Sequence, residues 1–547
     1  MAHDRPGPHN VNTMPTTPYD SAAAVGAYVS THTLDSTAVG ALVATHVLHP
    51  ARAEPSLSPT QAELDACTGA DAPIVKLLRR PCPPGFHDFN CDVRWDTADQ
   101  FLPKPIKWQR QFNASRAAKV KCQKAFFNAF EQVLTTVHWE GEWDSQPYRI
   151  AATPPRTIGK MIHQLVTANY YHLTLGEKHR PPLRSMAAPG SHFKRLGQPG
   201  FRWNVLDYGG GMREDIDYKR LLTMPGNVFS RPLSTGKRCA GVRAAWHCLW
   251  QRFPSQHVGP SPAAATPLGE AAQMLYNLSL AGRRPDALSQ YLAVAGVTNV
   301  FTQVTPMVRA YITEHLRAIC HRGGPYCGGS ADEARTPIAA IHVRQGDSCD
   351  RKATTPGPFN AMWQPDPKRP GQLTREGVGR RCYSWSVYRD QLKALQDLYG
   401  VRTVLLATDD HTGAIVRALQ KETSFNWLYL DYPRQQFVKR AWMEFRSDLD
   451  ENAPFSLAAE LELLSEADMF VGNMGSHTSR TMYMRLIASS KTGVLPPFIS
   501  VDGYGLCCGF TDECTKKQIR QRGRSIRACI YTYGLATGGE QWFYHRG

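Results

Sequence analysis

The sequence predicts an α/β fold with a parallel sheet, best defined between residues 335 and 505. Short apolar runs of strand type alternate there with segments of helical periodicity. The runs are predominantly apolar, which is typical of strands buried on both faces of a parallel sheet. Ligands of such sheets bind outside the carboxyl ends of the strands, so a functional site is expected there.

Five strands and four intervening helices are predicted in this region. The strands are Ile338–Val343, Thr403–Thr408, Trp427–Leu430, a run that starts at Asp468, and Phe498–Val501. The helices are Trp385–Leu398, Thr412–Lys421, Ser456–Glu466 and Ser476–Ala488. Such alternation indicates βαβ units with parallel neighbouring strands.

The length of 547 residues predicts several domains, because a single hydrophobic core rarely grows so large. Residues 1–65 are rich in Ala, Thr, Pro and His, and disorder is expected there. Residues 66–147 form a loop-rich lead-in with many Cys and Pro. An N-terminal domain follows at 148–330, with a helix from Gly159 and helical periodicity at about 269–322. Residues 331–547 form the C-terminal domain and its Cys-rich tail.

The chain carries a formal net charge of +16, which favours an acidic ligand or surface. Nucleic acid, an anionic membrane and a nucleotide diphosphate all meet that description. The basic residues are mostly scattered, and the sequence contains no zinc finger, RNP-type aromatic motif or basic zipper. We therefore expect no nucleic-acid partner, and the Cys pattern gives no reason to expect a metal.

The 14 cysteines are an even number, and a high one for a cytosolic enzyme. They indicate a disulfide framework formed in a secretory compartment. No membrane span is convincing, because the partly apolar stretch from Ser36 to Val47 is far shorter than the ~20 residues a spanning helix needs. We expect a secretory-pathway protein whose signal or anchor is missing from this sequence.

Polar clusters follow three of the predicted strands. Arg344 comes after the first strand, Asp409 and Asp410 come after the second, and Ser476 opens a helix after the fourth. A leaving diphosphate gathers negative charge, which a planar guanidinium holds in a bidentate grip. A helix start offers free backbone N–H groups to phosphate oxygens. The pattern favours a nucleotide-sugar site.

Each of these residues also has a purely structural interpretation. Arg344 alone is typical of a surface salt bridge, and Asp409-Asp410 is a common helix-capping pattern. Glu460, one helix before the fourth strand, is a candidate to accept hydrogen bonds from a guanine edge, but a glutamate on a helix usually faces solvent.

Three motifs together resemble those of the α1,6/α1,2/protein O-fucosyltransferase superfamily, and most closely its α1,6 branch. His342-Val-Arg344-Gln-Gly-Asp347 resembles the first motif, and Leu405-Leu-Ala-Thr-Asp-Asp410 resembles the second. The run from Leu464 through Ser476 to Tyr483 resembles the third. The segment from Ile158 to Leu165 is similar to the loop and helix that open the N-terminal half of these enzymes.

The resemblance implies a GT-B fold of two Rossmann-like domains and an inverting, metal-independent transfer of fucose from GDP-fucose to a glycan or glycoprotein in the Golgi or ER. It implies that Arg344 grips the β-phosphate. The other residues implied to bind the donor are His342, Asp409, Asp410, Glu460, Gly475, Ser476, His477, Gly159 and His163.

The sequence departs from the α1,6 pattern at three positions in and just after the first motif, and also at Glu460 and His477, where the family has an aspartate and a glutamine. Gln345 stands where the family has a second arginine, and Ser348 and Lys352 stand where it has a lysine and the usual glutamate base. An inverting transfer needs a base, for which Asp347 and Asp350 are the candidates. Two alternatives stay open: a catalytically inactive glycan- or nucleotide-binding relative, and an α1,2- or protein O-fucosyltransferase.

Two cysteines flank the loop that follows the first motif, Cys349 and Cys382. We predict a disulfide between them that fixes this loop; the alternative is that each pairs elsewhere. Acceptor pockets are expected on variable loops, here at 350–382 and in the N-terminal half.

Overall fold

The structure is a computed structural model. It describes residues 69–70, 72–79, 100–117, 122–133, 250, 267–280, 287–321, 327, 336–346, 361–365, 373–377, 383–437, 453–473, 476–490 and 495–501. In this part of the chain no helix is both long and apolar enough to cross a membrane.

The described strands form a seven-stranded mixed sheet and a separate two-stranded hairpin. In chain order they are β1 Gln100–Phe101, β2 Leu316–Ile319, β3 Ile338–Val343, β4 Ala361–Pro365, β5 Leu373–Gly377, β6 Thr403–Thr408, β7 Asn426–Leu430, β8 Met469–Gly472 and β9 Phe498–Ser500. The large sheet has the order β1-β9-β8-β3-β6-β7-β2, and β4 and β5 form the antiparallel hairpin. The α/β class with a mostly parallel sheet is therefore confirmed.

Helices cover both faces of the large sheet. In chain order they are α1 Pro73–Arg79, α2 Pro105–Ala117, α3 Cys122–Val133, α4 Pro267–Leu280, α5 Ala287–Phe301, α6 Pro306–His315, α7 Trp385–Tyr399, α8 Ala414–Leu419, α9 Ala453–Leu464 and α10 His477–Ser489. A short 3₁₀ helix spans Arg434–Phe437.

Alternate side chains of each central strand enter opposite hydrophobic cores. Ala340 and Leu405 pack into the core built with α3, α4, α5, α9 and α10. Ile341 and Leu406 pack into the core built with α2, α7 and α8. Because both faces are buried, these strands are predominantly apolar, and this pattern made them recognisable in the sequence.

The five central strands are parallel and lie in the order β7-β6-β3-β8-β9. Numbered by their own succession along the chain this is 3-2-1-4-5, the order of a doubly wound sheet. The chain starts in the middle at β3, moves outward through β6 and β7, and then returns to the other side of β3 at β8. The direction of winding therefore reverses between β3 and β8, and a crevice at this switch point is where such sheets bind ligands.

All five predicted strands are confirmed within a residue or two, and the four predicted helices are present as α7, α8, α9 and α10. The helical prediction for 269–322 is wrong at its end, because Leu316–Ile319 is the strand β2. This strand pairs antiparallel with β7, with Leu316 opposite Leu430. Its conformation is set by that long-range ladder and overrides the local periodicity.

The described part of the lead-in at 66–147 is not loop-rich, since it contains α1, α2, α3 and β1. Strand β1 pairs antiparallel with β9, so the lead-in contributes an edge of the sheet. The predicted boundary at 330 lies between β2 and β3, two strands of one sheet. The helix predicted from Gly159 lies outside the described residues, and the domain division stays a prediction.

Candidate functional site

The carboxyl ends of β3 and β8 meet at the switch point. His342 is the direct register partner of Gly472, so the two residues lie side by side on neighbouring strands. Ser479, in the first turn of α10, is fully buried, and its Oγ lies 2.5 Å from His342 Nδ1. The end of β3 is thereby joined to the start of the helix that follows β8.

Burial and charge keep the His342 ring neutral. Burial, followed by the nearby Arg344 guanidinium, lowers the pKa of His342 to about 3. A neutral imidazole has one N–H donor and one acceptor nitrogen. At neutral pH this residue can therefore donate one hydrogen bond and accept another, but it adds no positive charge to the site.

Arg344 follows β3 and forms an ion pair with Asp409, which follows the adjacent strand β6. Both side chains are mostly buried, with exposed fractions of 19% and 15%. The backbone N–H of Arg344 also points to the Tyr388 hydroxyl at 3.4 Å. The guanidinium is thus held at the carboxyl edge of the sheet, at the end of one of the two strands that flank the switch point.

Asp409 also fixes the backbone of the turn after β3. Its Oδ1 accepts hydrogen bonds from the N–H groups of Gln345 at 2.7 Å and Gly346 at 2.8 Å. A Cβ on Gly346 would lie 2.8 Å from Asp409 Oδ2 and 2.9 Å from the Asp409 backbone oxygen. Glycine is needed here because the two turns approach so closely.

Asp410 makes the contacts of a helix cap. Its Oδ1 accepts from the N–H and the hydroxyl of Thr412, and its Oδ2 accepts from the N–H of Ile415 in the first turn of α8. Burial opposes ionisation of this carboxyl, but these hydrogen bonds outweigh it and lower the pKa of Asp410. The structural interpretation of Asp409-Asp410 thus accounts for the contacts of Asp410, whereas Asp409 is directed to Arg344.

Thr408, the last residue of β6, has its hydroxyl and its carbonyl engaged by four other residues. Its hydroxyl donates to the Val343 carbonyl at 2.9 Å and accepts from the N–H of Asp410 at 3.1 Å. Its carbonyl accepts from Arg434 Nε at 3.1 Å and from the Tyr432 hydroxyl at 3.2 Å. These bonds fix the residue that immediately precedes Asp409.

Glu460 does not face solvent, as helical glutamates usually do, but is buried beneath this strand end. Its Oε1 accepts from the Tyr432 hydroxyl at 2.7 Å and from the Thr408 N–H at 3.3 Å, and Arg434 Nη2 lies 3.9 Å away. Burial raises the pKa of Glu460 to about 7, against the opposing influence of Arg434 and the two hydrogen bonds. These contacts make Glu460 part of the support of β6.

Helix α10 begins at His477, after its N-cap residue Ser476. The Ser476 side chain makes no capping hydrogen bond, and its N–H donates to the Asn473 carbonyl at 2.9 Å. The first N–H groups of an α-helix have no partner within the helix. The start of α10 therefore directs N–H groups toward the carboxyl edge, where β3 and β8 end.

Several predicted site residues lie outside the described residues: Asp347, Asp350, Gly475, Gly159, His163, Cys349 and Cys382. Their assigned roles stay predictions. A disulfide is present elsewhere, between Cys320 at the end of β2 and Cys327. Among the described residues, no group of three or more His, Cys, Asp or Glu is placed to hold a metal ion.

Residue-by-residue inspection of the sequence missed Ser479, Thr408 and the pair Tyr432 and Arg434. Arg434 lies over the Tyr432 ring at 4.1 Å, and its Nη2 donates to the Leu430 carbonyl at 2.5 Å. The position of this pair in the sequence could have revealed it, because both residues lie within four residues of the end of the third predicted strand. The polar residues after that strand are thus part of the same edge.

No protein-family profile matches the chain. No curated protein matches it in sequence. Among solved structures it is similar to POFUT1 in complex with GDP-fucose, in two crystal forms, and to POFUT1 in complex with GDP. The sequence identities are 15% for the two GDP-fucose complexes and 14% for the GDP complex, each with a TM-score of 0.21. Each match covers 38% of this chain and 49%, 50% or 51% of the POFUT1 chain, so the chain spans about half the length of these structures.

Proposed function

We propose that the chain is a glycosyltransferase that moves fucose from GDP-fucose to a glycan or glycoprotein, with inversion and without a metal. The observation that carries the proposal is the position of Arg344, at the end of β3 beside the switch point of a doubly wound sheet. The start of α10 lies on the other side of that point, joined to β3 through His342 and Ser479. A GT-B arrangement of two Rossmann-like domains is part of this proposal.

The chemistry of the leaving group favours these residues. As the bond from the sugar to the β-phosphate breaks, negative charge accumulates on the diphosphate. Arg344 carries its five N–H donors in a planar fork, a geometry that matches two phosphate oxygens at once. The first N–H groups of α10 and the Ser476 hydroxyl are proposed to supply further donors.

The acceptor hydroxyl must lose its proton to a base. Asp347 and Asp350 stay the candidates, because they follow within four residues of Gly346, whose N–H is fixed by Asp409. We assign them to the base function as part of this proposal. The acceptor is proposed to bind near the 350–382 loop, which contains the β4–β5 hairpin.

One observation favours a second candidate, an inactive nucleotide-binding relative. Gln345 stands at the position of the second arginine of the family motif, and its amide Nε2 donates to the Tyr383 carbonyl at 2.6 Å. The side chain thus has a structural role rather than a second cationic one. Such a protein would bind GDP without transferring sugar.

We also propose a location in the secretory pathway, in the Golgi, and the number of cysteines supports it. The Cys320–Cys327 disulfide agrees with an oxidising compartment, because disulfides are rare in the cytosol.

Titration calorimetry with GDP tests the nucleotide site. We expect wild-type binding, and a loss of at least about tenfold in Arg344→Ala and also in Arg344→Lys, because an ammonium cannot replace the guanidinium fork. Arg389→Ala is the matched control, since Arg389 lies on α7 and pairs with Asp390. The absence of any GDP binding by the wild type would refute both candidate functions.

A screen of GDP-sugars against a panel of glycan acceptors, with linkage analysis of any product, separates the two candidates. Fucose transfer supports the enzyme. GDP binding with neither hydrolysis nor transfer over the whole panel supports the inactive relative.

A further inference from the structure

Ser479 occupies a narrow space between the two strand ends of the switch point. Its Oγ lies 2.5 Å from His342 Nδ1, and a Cβ on Gly472 would lie 3.3 Å from the same oxygen. Since His342 and Gly472 are register partners, the hydroxyl sits over the junction of β3 and β8. Ser479 itself is fully buried, so this contact is built into the core rather than made at the surface.

The contact determines which ring nitrogen His342 offers to a ligand. Because Nδ1 is within hydrogen-bond distance of Ser479, Nε2 is the nitrogen that remains for a contact at the crevice. In a neutral imidazole one nitrogen carries the proton and the other accepts. The hydroxyl can take part in either way: it can donate to Nδ1, which places the proton on Nε2, or accept from Nδ1–H, which leaves Nε2 as an acceptor.

The expected ligand distinguishes the two arrangements. A diphosphate presents only acceptor oxygens and negative charge. An Nε2 lone pair directed at such an oxygen is repelled, whereas an Nε2–H donates a hydrogen bond to it. Only donation by the Ser479 hydroxyl makes the neutral ring suitable for this ligand.

We propose that Ser479 is a positioning residue: its hydroxyl donates to His342 Nδ1, holds the ring as the Nε2–H tautomer, and so makes His342 an N–H donor to the diphosphate of the nucleotide. The ligand half of this inference rests on the proposed function. The choice of tautomer is argued from the same expected ligand, but the tautomer itself is measured in the free protein, without any ligand.

The tautomer is tested by NMR of the full chain with ¹⁵N-labelled histidine, in which the His342 signals are identified by their loss in His342→Gln. The protonated and unprotonated nitrogens of a neutral imidazole have well-separated ¹⁵N chemical shifts, so the spectrum shows directly which tautomer is present. We expect Nε2–H in the free wild-type chain. In Ser479→Ala we expect a mixture of tautomers, because the hydroxyl that selects one of them is gone.

Calorimetry with GDP tests the consequence. We expect Ser479→Ala to weaken GDP binding by about fivefold to tenfold, the size of one hydrogen bond. The matched control is Ser489→Ala in the last turn of the same helix, which loses a hydroxyl bonded to the Ser465 and Arg485 carbonyls. This control keeps both the tautomer and the affinity of the wild type.

The failures are distinguishable. An Nδ1–H tautomer in the wild-type chain overturns the inference and leaves the proposed function standing, and this result needs no variant to fold. A Ser479→Ala chain with unchanged tautomer and affinity overturns it as well. A wild-type chain that does not bind GDP refutes the proposed function, and with it the ligand half of the inference.

Discussion

Arg344 and Asp409 form an ion pair that joins the ends of two adjacent parallel strands, β3 and β6. The same carboxylate accepts the N–H groups of Gln345 and Gly346. One side chain thus orients the candidate phosphate-binding guanidinium and shapes the turn that carries it. Asp409 therefore supports the candidate site through both the guanidinium and the turn.

Asp409→Ala is expected to destabilise the chain, because it leaves the Arg344 guanidinium and two N–H groups without their acceptor. The free energy of unfolding should fall by about 2–3 kcal/mol. Urea denaturation measures the change. Asp409→Asn is the matched variant, since its amide oxygen can still accept both N–H bonds while the ion pair is lost, and it should lose about half as much. Equal losses in the two variants would contradict the role given to the backbone bonds.

Gly346→Ala is expected to disturb the site through Asp409. The new Cβ would lie 2.9 Å from the Asp409 backbone oxygen, which cannot move without shifting the end of β6. We expect a loss of about 1–3 kcal/mol in unfolding free energy together with weakened GDP binding.

Gly400→Ala is the control for that substitution. Gly400 ends α7 with a φ of 74°, at the amino-terminal side of β6, and nothing lies within 4 Å of its would-be Cβ. Its cost of about 1 kcal/mol comes from backbone strain, and GDP binding should be unchanged. If both alanine variants bind GDP like the wild type, the close approach of Gly346 to Asp409 is irrelevant to the ligand.

Glu460→Gln is expected to change the pH dependence of stability. The folded-state pKa of Glu460 is raised to about 7, so between pH 4.5 and 7 the folded chain keeps a proton that the unfolded chain has lost. The contribution of this carboxyl is fully present below its ordinary pKa and is lost as the pH rises toward 7. Relative to Glu460→Gln, the wild type should therefore become steadily less stable from pH 5 to pH 7.

Urea denaturation at several pH values measures this difference. His342 acts in the opposite direction, because its pKa is lowered to about 3, so its contribution is lost as the pH falls below about 6.5. Both chains keep His342, so its effect cancels in the comparison. A constant difference between the two chains from pH 5 to pH 8 would show that Glu460 has an ordinary pKa.

Replacement of Cys320 and Cys327 by serine should lower the free energy of unfolding by about 2 kcal/mol, because the disulfide closes a short loop. Addition of a reductant should destabilise the wild type by about 2 kcal/mol more than it destabilises the double variant, because only the wild type has this bond to lose. A wild type indifferent to reductant would mean that the bond is absent in solution.

The central strands could be predicted from sequence because burial on both faces leaves an apolar run such as Ile338–Val343. Strand β2 could not, because Leu316–Ile319 lies at an edge and depends on β7, more than 100 residues away. The clusters after the strands could be placed at one edge by the rule for parallel sheets, and the structure brings His342 and Arg344 to that edge.

The order of the strands in the sheet could not be predicted from the sequence, and neither could the contacts between the polar clusters that depend on this order. Asp409 pairs with Arg344 only because β6 lies beside β3. Ser479 reaches His342 only because β8 lies on the other side of β3. The burial of Glu460 could not be predicted from the sequence either. Helix α9 buries a second carboxylate, Glu462, whose partner Arg485 lies 2.7 Å away on another helix. Burial of a helical glutamate depends on partners that local sequence does not reveal.

Both margins of the large sheet are closed by strands that precede the five parallel ones in the chain. Phe101 in β1 pairs with Phe498 in β9, and Leu316 in β2 pairs with Leu430 in β7. During synthesis β1 therefore stays without its partner strand until β9, the last described strand, has been made. Contacts so distant along the chain slow folding, so assembly of this protein should be slow. Nascent chains that end before β9 would expose an unpaired β8 edge to self-association.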